Sequence, residues 1–307
     1  MASIQHMTAK VLLIAAVCMF PATPASAQAP GGQRLFDSPE AAAKALVEAA
    51  RANDEQALVE IFGTKYRDLV GTVDKVRDRK NRTRFAKAAD EYRLLRPEDD
   101  GSVTLVVSYE AWPFPIPLVK EGPTWRFDTD AGWEELVNRR VGANELAVIE
   151  TLRAYVEAQR QYAAKSRDGT NVRQFAQKIR SSPGKRDGLY WDVDPAKGEE
   201  LSPIGPLIRD AKGRQPGDPY NGYYFKILTR QGPAAPAGRY SYVINGRMIA
   251  GFAMVAFPAD YGKTGIKTFI VNHYGIVYEK DLGPKAAGIA AAMTEYNPDA
   301  TWTEVRE

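Results

Sequence analysis

Residues 143–165 read ANELAVIETLRAYVEAQRQYAAK, the longest uninterrupted helical pattern in the chain. Apolar side chains recur at helical spacing at Leu146, Ile149, Leu152 and Val156, with charged residues between them. Arg-Asp-Gly follows and ends the pattern. The stretch therefore predicts an amphipathic helix that places one apolar face against a sheet.

The sequence after this helix predicts that sheet. Apolar and aromatic runs separated by Gly, Pro and Asp turns lie at 222–229, 249–257, 268–272 and 276–280. Shorter helices are expected over 171–181 and 284–293. We predict residues 131–307 to form a C-terminal domain in which the long helix packs on a four-stranded antiparallel sheet.

Residues 36–130 predict a smaller domain of the same class. Ser38 has N-cap character and Pro39 suits the first helical position. Helices are expected over 41–52, 56–62 and 74–89, followed by strands over 91–96, 102–112 and 124–128. The order predicts helices on one face of an antiparallel sheet, so that the whole chain belongs to the α+β class.

The first 27 residues have the three-part layout of a secretory signal peptide. Lys10 precedes an apolar run at 11–20, and small residues stand at 25–27. The apolar run is shorter than the roughly 20 residues that span a bilayer. We expect cleavage after Ala27, a linker over 28–35, and a periplasmic or secreted protein with no membrane span after cleavage.

Composition and motifs exclude several function classes. The chain has 41 Lys and Arg against 38 Asp and Glu, too balanced for a nucleic-acid-binding protein. Cys18 and His6 would leave with the signal peptide, so His273, expected at an exposed hairpin tip, would be the one mature histidine. Such a chain cannot build the usual zinc sites, and the Gly-x-Ser-x-Gly elbow of a serine hydrolase is absent. No phosphate-binding glycine motif follows a strand, so no cofactor and no resident metal are predicted.

Carboxylates are the remaining candidates for catalysis. One group surrounds Trp191 and consists of Asp187, Asp192 and Asp194. Acids beside an aromatic ring would suit an acid–base pair acting on a carbohydrate. Asp210 and Asp218 are candidate calcium ligands, although the Asp-x-Asx-x-Asx-Gly spacing is absent. For both sets the simpler interpretation is turn chemistry beside a packed tryptophan.

Other residues are candidates for binding. The run 75–87 contains seven Lys and Arg with interleaved Asp, and we interpret it as a solvated helix face rather than a polyanion site. Trp112 opens the run WPFPIP at 112–117, whose alternating prolines predict an extended segment. It could be a protected edge strand or a docking ridge, but we prefer a spacer between domains. Four residues are candidate ligand or partner contacts: Trp112, Trp191, Asn221 and Tyr223.

Several blocks resemble the secreted bacterial proteins grouped as domain-of-unknown-function family 2950. They are WPFPIPLVK at 112–120, NRRVGANELAVIETLRAYVEAQRQYA at 138–163, KRDGLYW at 185–191, PYNGYYFKIL at 219–228 and TFIVNHYGIVYEKDLG at 268–283. The resemblance runs from about residue 36 to the C-terminus, and it implies export without implying an activity.

Two further resemblances concern the fold. The second half resembles the head domain of type IV pilins and type II secretion pseudopilins, but the segment at 133–142 is charged where their helix has an apolar anchor. The first half resembles a nuclear-transport-factor-like cone, a fold that hosts both enzymes and binding modules.

These observations favour an exported, non-enzymatic protein that acts through protein or cell-envelope contacts. Its expected partners are envelope or secretion-system proteins. The alternative is a carboxylate-dependent hydrolase, or a protein that binds a small carbohydrate-like ligand. The sequence does not predict an oligomeric state.

The signal-peptide prediction can be tested by sequencing the N-terminus of the exported protein. We expect the mature chain to begin at Gln28. Ala27→Asp should block cleavage because the peptidase accepts small neutral residues at this position. Ala29→Asp, just beyond the expected cut, is the control that should still be cleaved. A mature chain that retains residues 11–20 would contradict the prediction.

Overall fold

A computed structural model describes residues 32–205 and 217–306. The helices are α1 (Pro39–Ala52), α2 (Glu55–Phe62), α3 (Arg67–Val70), α4 (Lys75–Glu91), α5 (Thr129–Ala163) and α6 (Ala286–Ala292). The strands are β1 (Arg93–Pro97), β2 (Val103–Val107), β3 (Trp112–Pro113), β4 (Leu118–Glu121), β5 (Thr124–Phe127), β6 (Tyr223–Leu228), β7 (Arg230–Gln231), β8 (Tyr240–Ser241), β9 (Val243–Ile244), β10 (Arg247–Met248), β11 (Ala253–Pro258), β12 (Lys267–Asn272), β13 (Val277–Asp281) and β14 (Thr303–Glu304). The expected signal peptide and Asp210 lie outside the described residues.

Side-chain caps start the first helices where the sequence predicts them. Ser38, Asp54 and Asp74 each accept a hydrogen bond, at 3.0–3.1 Å, from the backbone N–H three residues further on. Helices α1, α2 and α4 follow these caps. The three predicted helices of this half are therefore confirmed, and the short α3 is added between them.

Prolines shape the sheet of the N-terminal half. Its strand order is β1-β2-β4-β5, and β3 pairs with β2 beside β4. The run 112–117 interrupts this edge because its prolines have no N–H to donate. Phe114 and Ile116 from the same run are buried in the core. The prediction of a spacer between domains was wrong, since these side chains belong to the core of this half.

Helix α5 is longer than predicted, and two hydrophobic cores share it. It begins at Thr129, 14 residues before the predicted start at 143, and has 35 residues. Leu136 and Val137 pack on the N-terminal core, whereas Leu152 and Tyr155 belong to the C-terminal one. The predicted domain limit at 130/131 falls at the start of this shared helix.

The buried face of α5 is rotated relative to the predicted one. Val148, Leu152, Tyr155 and Val156 are buried, but Leu146 is 67% exposed. Leu146 was assigned to the apolar face by its spacing, and that assignment was wrong. The sheet contacts the stripe that contains Tyr155, whose ring packs edge-on against Phe252 at 5.5 Å.

The C-terminal sheet is antiparallel, with the order β14-β13-β12-β11-β6. The four predicted strands are confirmed, and the two-residue β14 makes a fifth. All six residues of β11 are buried, so both faces of the sheet are covered. The two sheets and their helices confirm the α+β class. Within the described ranges, no helix has both the length and the apolar character that crossing a bilayer requires.

Residues 171–181 are not a helix, contrary to the prediction. The Phe175 N–H donates to the carbonyl of Met248 at 2.7 Å, and the Ala176 N–H donates to Gln159 Oε1 at 2.8 Å. Lys178 and Ile179 carbonyls accept from the segment at 189–190. These tertiary partners replace the hydrogen bonds that a helix would make within itself.

Two glycines of α5 give a matched test of this packing. A Cβ on Gly132 would lie 2.4 Å from the carbonyl oxygen of Pro115, whereas a Cβ on Gly142 meets nothing within 4 Å. Gly132→Ala should lower the free energy of unfolding by about 1–3 kcal/mol, because backbone must move. Gly142→Ala should raise it by about 0.5–1 kcal/mol, because alanine favours the helix. Urea denaturation measures both, and equal effects would contradict the close contact at Gly132.

Candidate functional site

A cavity of about 620 Å³ lies in the N-terminal half. Helices α1, α2 and α3 supply its inner wall, the sheet supplies one side, and α4 and α5 flank it. Its lining includes exposed residues of α4 and α5, Arg84 and Arg139, so that solvent reaches it between these helices. The apolar part of the wall includes Leu46, Leu58, Phe62, Val70, Phe85 and Phe114.

A polar group lies at one part of this wall. Asp78 accepts hydrogen bonds from Thr72, from its N–H at 2.6 Å and from its hydroxyl at 3.0 Å. Burial raises the pKa of the Asp78 carboxyl above its ordinary value, and this effect outweighs the opposing bonds to Thr72 and the nearby guanidinium groups. Asp78 is the lining carboxyl whose environment is most perturbed.

Two arginines stand beside Asp78, the buried Arg82 and the half-buried Arg140. Arg82 donates to Asn53, to the carbonyl of Val70 and to Glu55, at 2.6–3.0 Å. Arg140 donates to the carbonyl of Leu69 at 2.5 Å, and burial lowers the pKa of its guanidinium. Arg82 thus has a carboxylate partner, while Arg140 is held by backbone carbonyls.

The turn after β2 forms part of the cavity rim. Ser108 and Ala111 have φ angles of 64° and 55°, in a region that non-glycine residues rarely adopt. Ser108 lines the cavity, and its N–H donates to the carbonyl of Ala88 on α4. Trp112 follows in the lining, with the guanidinium of Arg139 5.2 Å from its ring centre. Strained backbone of this kind is often found where a structure holds a ligand.

A loop of the C-terminal half contacts the residues at the end of the cavity. Arg77, which lines the cavity, donates from Nη1 to Asn221 Oδ1 at 2.5 Å. The Gly222 N–H donates to Asp74 Oδ2 at 2.9 Å. Asn144, another lining residue, donates from Nδ2 to the carbonyl of Thr264 at 2.9 Å. The position of this end of the cavity therefore depends on both halves.

Glycine is required at position 222 for this junction. Its φ is +76°, and a Cβ there would lie 2.6 Å from Asn144 Nδ2. Asn221, also at positive φ, is buried and faces Arg77. This places the sequence candidate Asn221 in the contact between halves.

Each of the acidic candidates near Trp191 is bonded to described residues of its own segment. Asp187 accepts from Lys178 Nζ at 2.7 Å and from the N–H of Ser182 at 2.7 Å. The bond to Lys178 is the main reason that the pKa of Asp187 falls to about 2. Asp187 is thus an ionised carboxylate that accepts hydrogen bonds within its own turn.

The other two acids also bond to residues of the same segment. Asp192 accepts from the hydroxyl of Tyr190 at 3.0 Å and pairs with Arg180 at 3.3 Å. Asp194 accepts from the N–H of Ala196 at 3.1 Å, as a turn-capping residue does. None of the three carboxyls lines the cavity.

Trp191 lies in the C-terminal core and is 7% exposed. Its indole N–H donates to the carbonyl of Glu200 at 3.0 Å, and Arg167 and Arg186 lie over its ring at 5.0 and 5.5 Å. Among the described residues, Trp191 is therefore a packed core side chain and is not exposed as a carbohydrate platform would be. Tyr223 is also buried, and its hydroxyl donates to the carbonyl of Lys267.

The structure does not bring the two calcium candidates together in a described site. Asp210 lies outside the described residues, and Asp218 is an exposed turn residue. Within the described part of the chain, no group of three His, Cys, Asp or Glu side chains could hold a metal ion.

His273 is half-buried, although it was predicted to be exposed. It lies in the turn between β12 and β13, as expected, but its ring packs edge-on against Tyr242 and Phe252. A Cβ on Gly251 would lie 2.7 Å from His273 Nδ1, which shows how closely backbone approaches the ring. Burial lowers the pKa of His273 below its ordinary value of 6.5.

Sequence reasoning identified Trp112 but missed the rest of the cavity. The basic run 75–87 was interpreted as a solvated face, yet Asp78 and Arg82 in it are buried. The available signal was the helical spacing of Asp78, Arg82 and Phe85, which are four and three residues apart and therefore share one face of the helix. This signal was missed because Asp78 and Arg82, on the inner face of the helix, are polar, and burial is usually predicted from apolar side chains.

Comparisons with known proteins give a family and nothing more specific. A protein-family model described as "Protein of unknown function (DUF2950)" matches residues 33–305. No curated protein and no solved structure matches the chain.

The lowered pKa of His273 predicts a pH-dependent stability. Below about pH 6.5 the unfolded histidine binds a proton that the folded one resists, so the free energy of unfolding should fall as the pH decreases. His273→Gln should flatten this part of the curve, because it removes the titrating ring. Urea denaturation at about pH 7.5 and about pH 5.5 measures both proteins. Equal pH slopes for the two would contradict the effect of burial.

Proposed function

The chain belongs to the DUF2950 family of proteins of unknown function, and we propose that it is an exported, non-enzymatic binding protein of the cell envelope. In this proposal the N-terminal half holds a small, mainly apolar molecule in the cavity between α4 and α5. The C-terminal half makes contacts with envelope or secretion-system proteins.

The cavity is the observation that carries the proposal. Its volume of about 620 Å³ lies within the range of roughly 300–1,000 Å³ that is usual for ligand sites. Its wall combines apolar side chains from helices α1 to α5 with polar groups, the usual composition of such sites. Filling this volume would bury apolar surface that water now contacts.

The chemistry of the lining favours binding over proton transfer. Most of its charged groups are guanidinium groups, which keep their proton in proteins. Asp78 has the perturbed pKa that often marks an active site, but both of its oxygens already accept from Thr72. The geometry gives no support to the alternative of a hydrolase based on Asp187, Asp192 and Asp194.

The C-terminal half supports a role in protein contacts. A long helix on an antiparallel sheet is also the arrangement of the pilin and pseudopilin heads that this half resembles. The first part of α5 is covered by the N-terminal core, so any such contact would use the sheet side of the head. Export by the predicted signal peptide, with cleavage after Ala27, would bring this surface to the envelope.

The cavity can be tested with the neutral apolar dye N-phenyl-1-naphthylamine. The mature protein should bind it saturably and raise its fluorescence. Ala88→Phe, which adds a ring to the cavity wall, should weaken dye binding by about tenfold or more, a loss of roughly 1.4 kcal/mol. Lys87→Phe is the control, because Lys87 is exposed on the same helix and does not line the cavity.

Circular dichroism of both variants would show that the fold is retained. Saturable binding that Ala88→Phe removes and Lys87→Phe preserves supports the proposal. Absence of saturable binding by the unmodified protein, or equal binding by both variants, would contradict it.

A further inference from the structure

The charges around the cavity are unequal. Five arginines line it, Arg77 and Arg82 and Arg84 from α4 with Arg139 and Arg140 from α5, against two carboxyls, Asp78 and Glu110. Arg84 and Arg139 are exposed on the side of the cavity formed by α4 and α5, whereas Arg82 is buried and Arg140 is half-buried. Much of the remaining wall is apolar. A cavity of this kind has an apolar interior beside a positively charged border.

Some of these arginines already have an anionic partner. Arg82 pairs with Glu55 at 3.0 Å, and Arg139 pairs with Glu135 at 2.6 Å. Their charges are thus balanced from outside the cavity. They contribute shape and hydrogen-bond donors more than uncompensated charge.

Two arginines differ from them. In the described part of the chain, the Arg84 side chain makes one long hydrogen bond, 3.5 Å from its Nη2 to Asn81 Oδ1. Arg140 donates to the carbonyls of Asp68 and Leu69, at 3.3 and 2.5 Å, and these acceptors carry no full charge. Arg84 is exposed, and Arg140 lies deeper. Both guanidinium groups retain a charge that an anion could neutralise.

The carboxyl groups oppose this charge only in part. Asp78 accepts hydrogen bonds from Thr72 on both oxygens, and burial disfavours its ionised form. Glu110 is exposed in the rim turn, where solvent screens its charge. The lining therefore carries more positive than negative formal charge.

We propose that the ligand of the cavity is an amphipathic anion, with an apolar body and one carboxylate, sulfate or phosphate head. The apolar body would lie against Leu58 and Phe62, and the head would lie at the α4–α5 border within reach of Arg84. This inference rests on the proposed function, because it specifies the ligand of the same cavity. A purely apolar pocket would not prefer an anionic ligand over a neutral one with the same apolar body.

The test compares ligands with one chain and different heads. Dodecanoate and dodecyltrimethylammonium, each below its critical micelle concentration, and 1-dodecanol, below its solubility limit, would compete with bound N-phenyl-1-naphthylamine. We expect dodecanoate to displace the dye at about tenfold lower concentration than either analogue, as a charge-assisted hydrogen bond predicts. Equal or better displacement by the cationic analogue would overturn the inference.

Substitution of Arg84 tests the assigned head-group contact. Arg84→Gln should reduce the ratio of the dodecanoate and dodecanol affinities by about tenfold, because it removes the charge and keeps most of the side chain. Lys87→Gln, which removes a charge from an exposed position of the same helix outside the cavity, should leave the ratio unchanged. An equal effect of the two substitutions would overturn the role of Arg84, since it would reflect only the overall charge.

The source of the anion is distinguished by a second arm. Vesicles of phosphatidylglycerol or of phosphatidylcholine would be incubated with the protein, and lipid recovered with the separated protein would be measured. Recovery of phosphatidylglycerol indicates a lipid source, whereas displacement by dodecanoate alone indicates a free anion, and both support the class. Equal recovery of phosphatidylcholine would overturn it.

The two proposals fail in different ways. If the dye itself does not bind, the cavity is not a ligand site and the proposed function fails. If the dye binds and all three head groups displace it equally, only the anionic class fails.

Discussion

The continuity of helix α5 is the constraint on which this structure depends. At about 1.5 Å per residue its 35 residues extend over about 52 Å, and no break occurs where the two halves meet. Leu136 is fixed by the N-terminal core and Leu152 by the C-terminal core. The intervening turns, which carry Arg140 and Asn144 to the cavity, are therefore held from both ends.

Hydrogen bonds between the halves add to this constraint. Asp74 caps α4 through one oxygen and accepts from Gly222 of the C-terminal half through the other. Lys263 reaches Asp68 at 2.7 Å from the same side of the junction. The start of α4, and with it the polar end of the cavity, is thus set by groups that are far away in the sequence. A ligand at that end would contact residues that both halves hold in place.

The acidic residues near Trp191 show that short spacing in the sequence does not by itself indicate a shared site. Asp187, Asp192 and Asp194 lie close together along the chain, but each accepts from donors within a few residues of itself or from a nearby arginine or lysine. Turn chemistry satisfies their lone pairs locally. They lie close together in the sequence because the turns of this segment need side-chain hydrogen-bond acceptors. Trp191 beside them packs in the C-terminal core.

Local signals were sufficient for the class of the fold and for most of its elements. Ser38 and Asp54 cap helices by bonds to their own first turns, and the strands of the C-terminal sheet follow from apolar runs between turns. These preferences act over a few residues, so the sequence alone was enough to predict them. The buried face of α5, the extended course of 171–181 and the cavity depend on partners more than ten residues away. Only the tertiary structure decides these features. Whether a side chain such as Asp78 is buried depends on the elements that pack over it, and the adjacent residues in the sequence do not determine which elements those are.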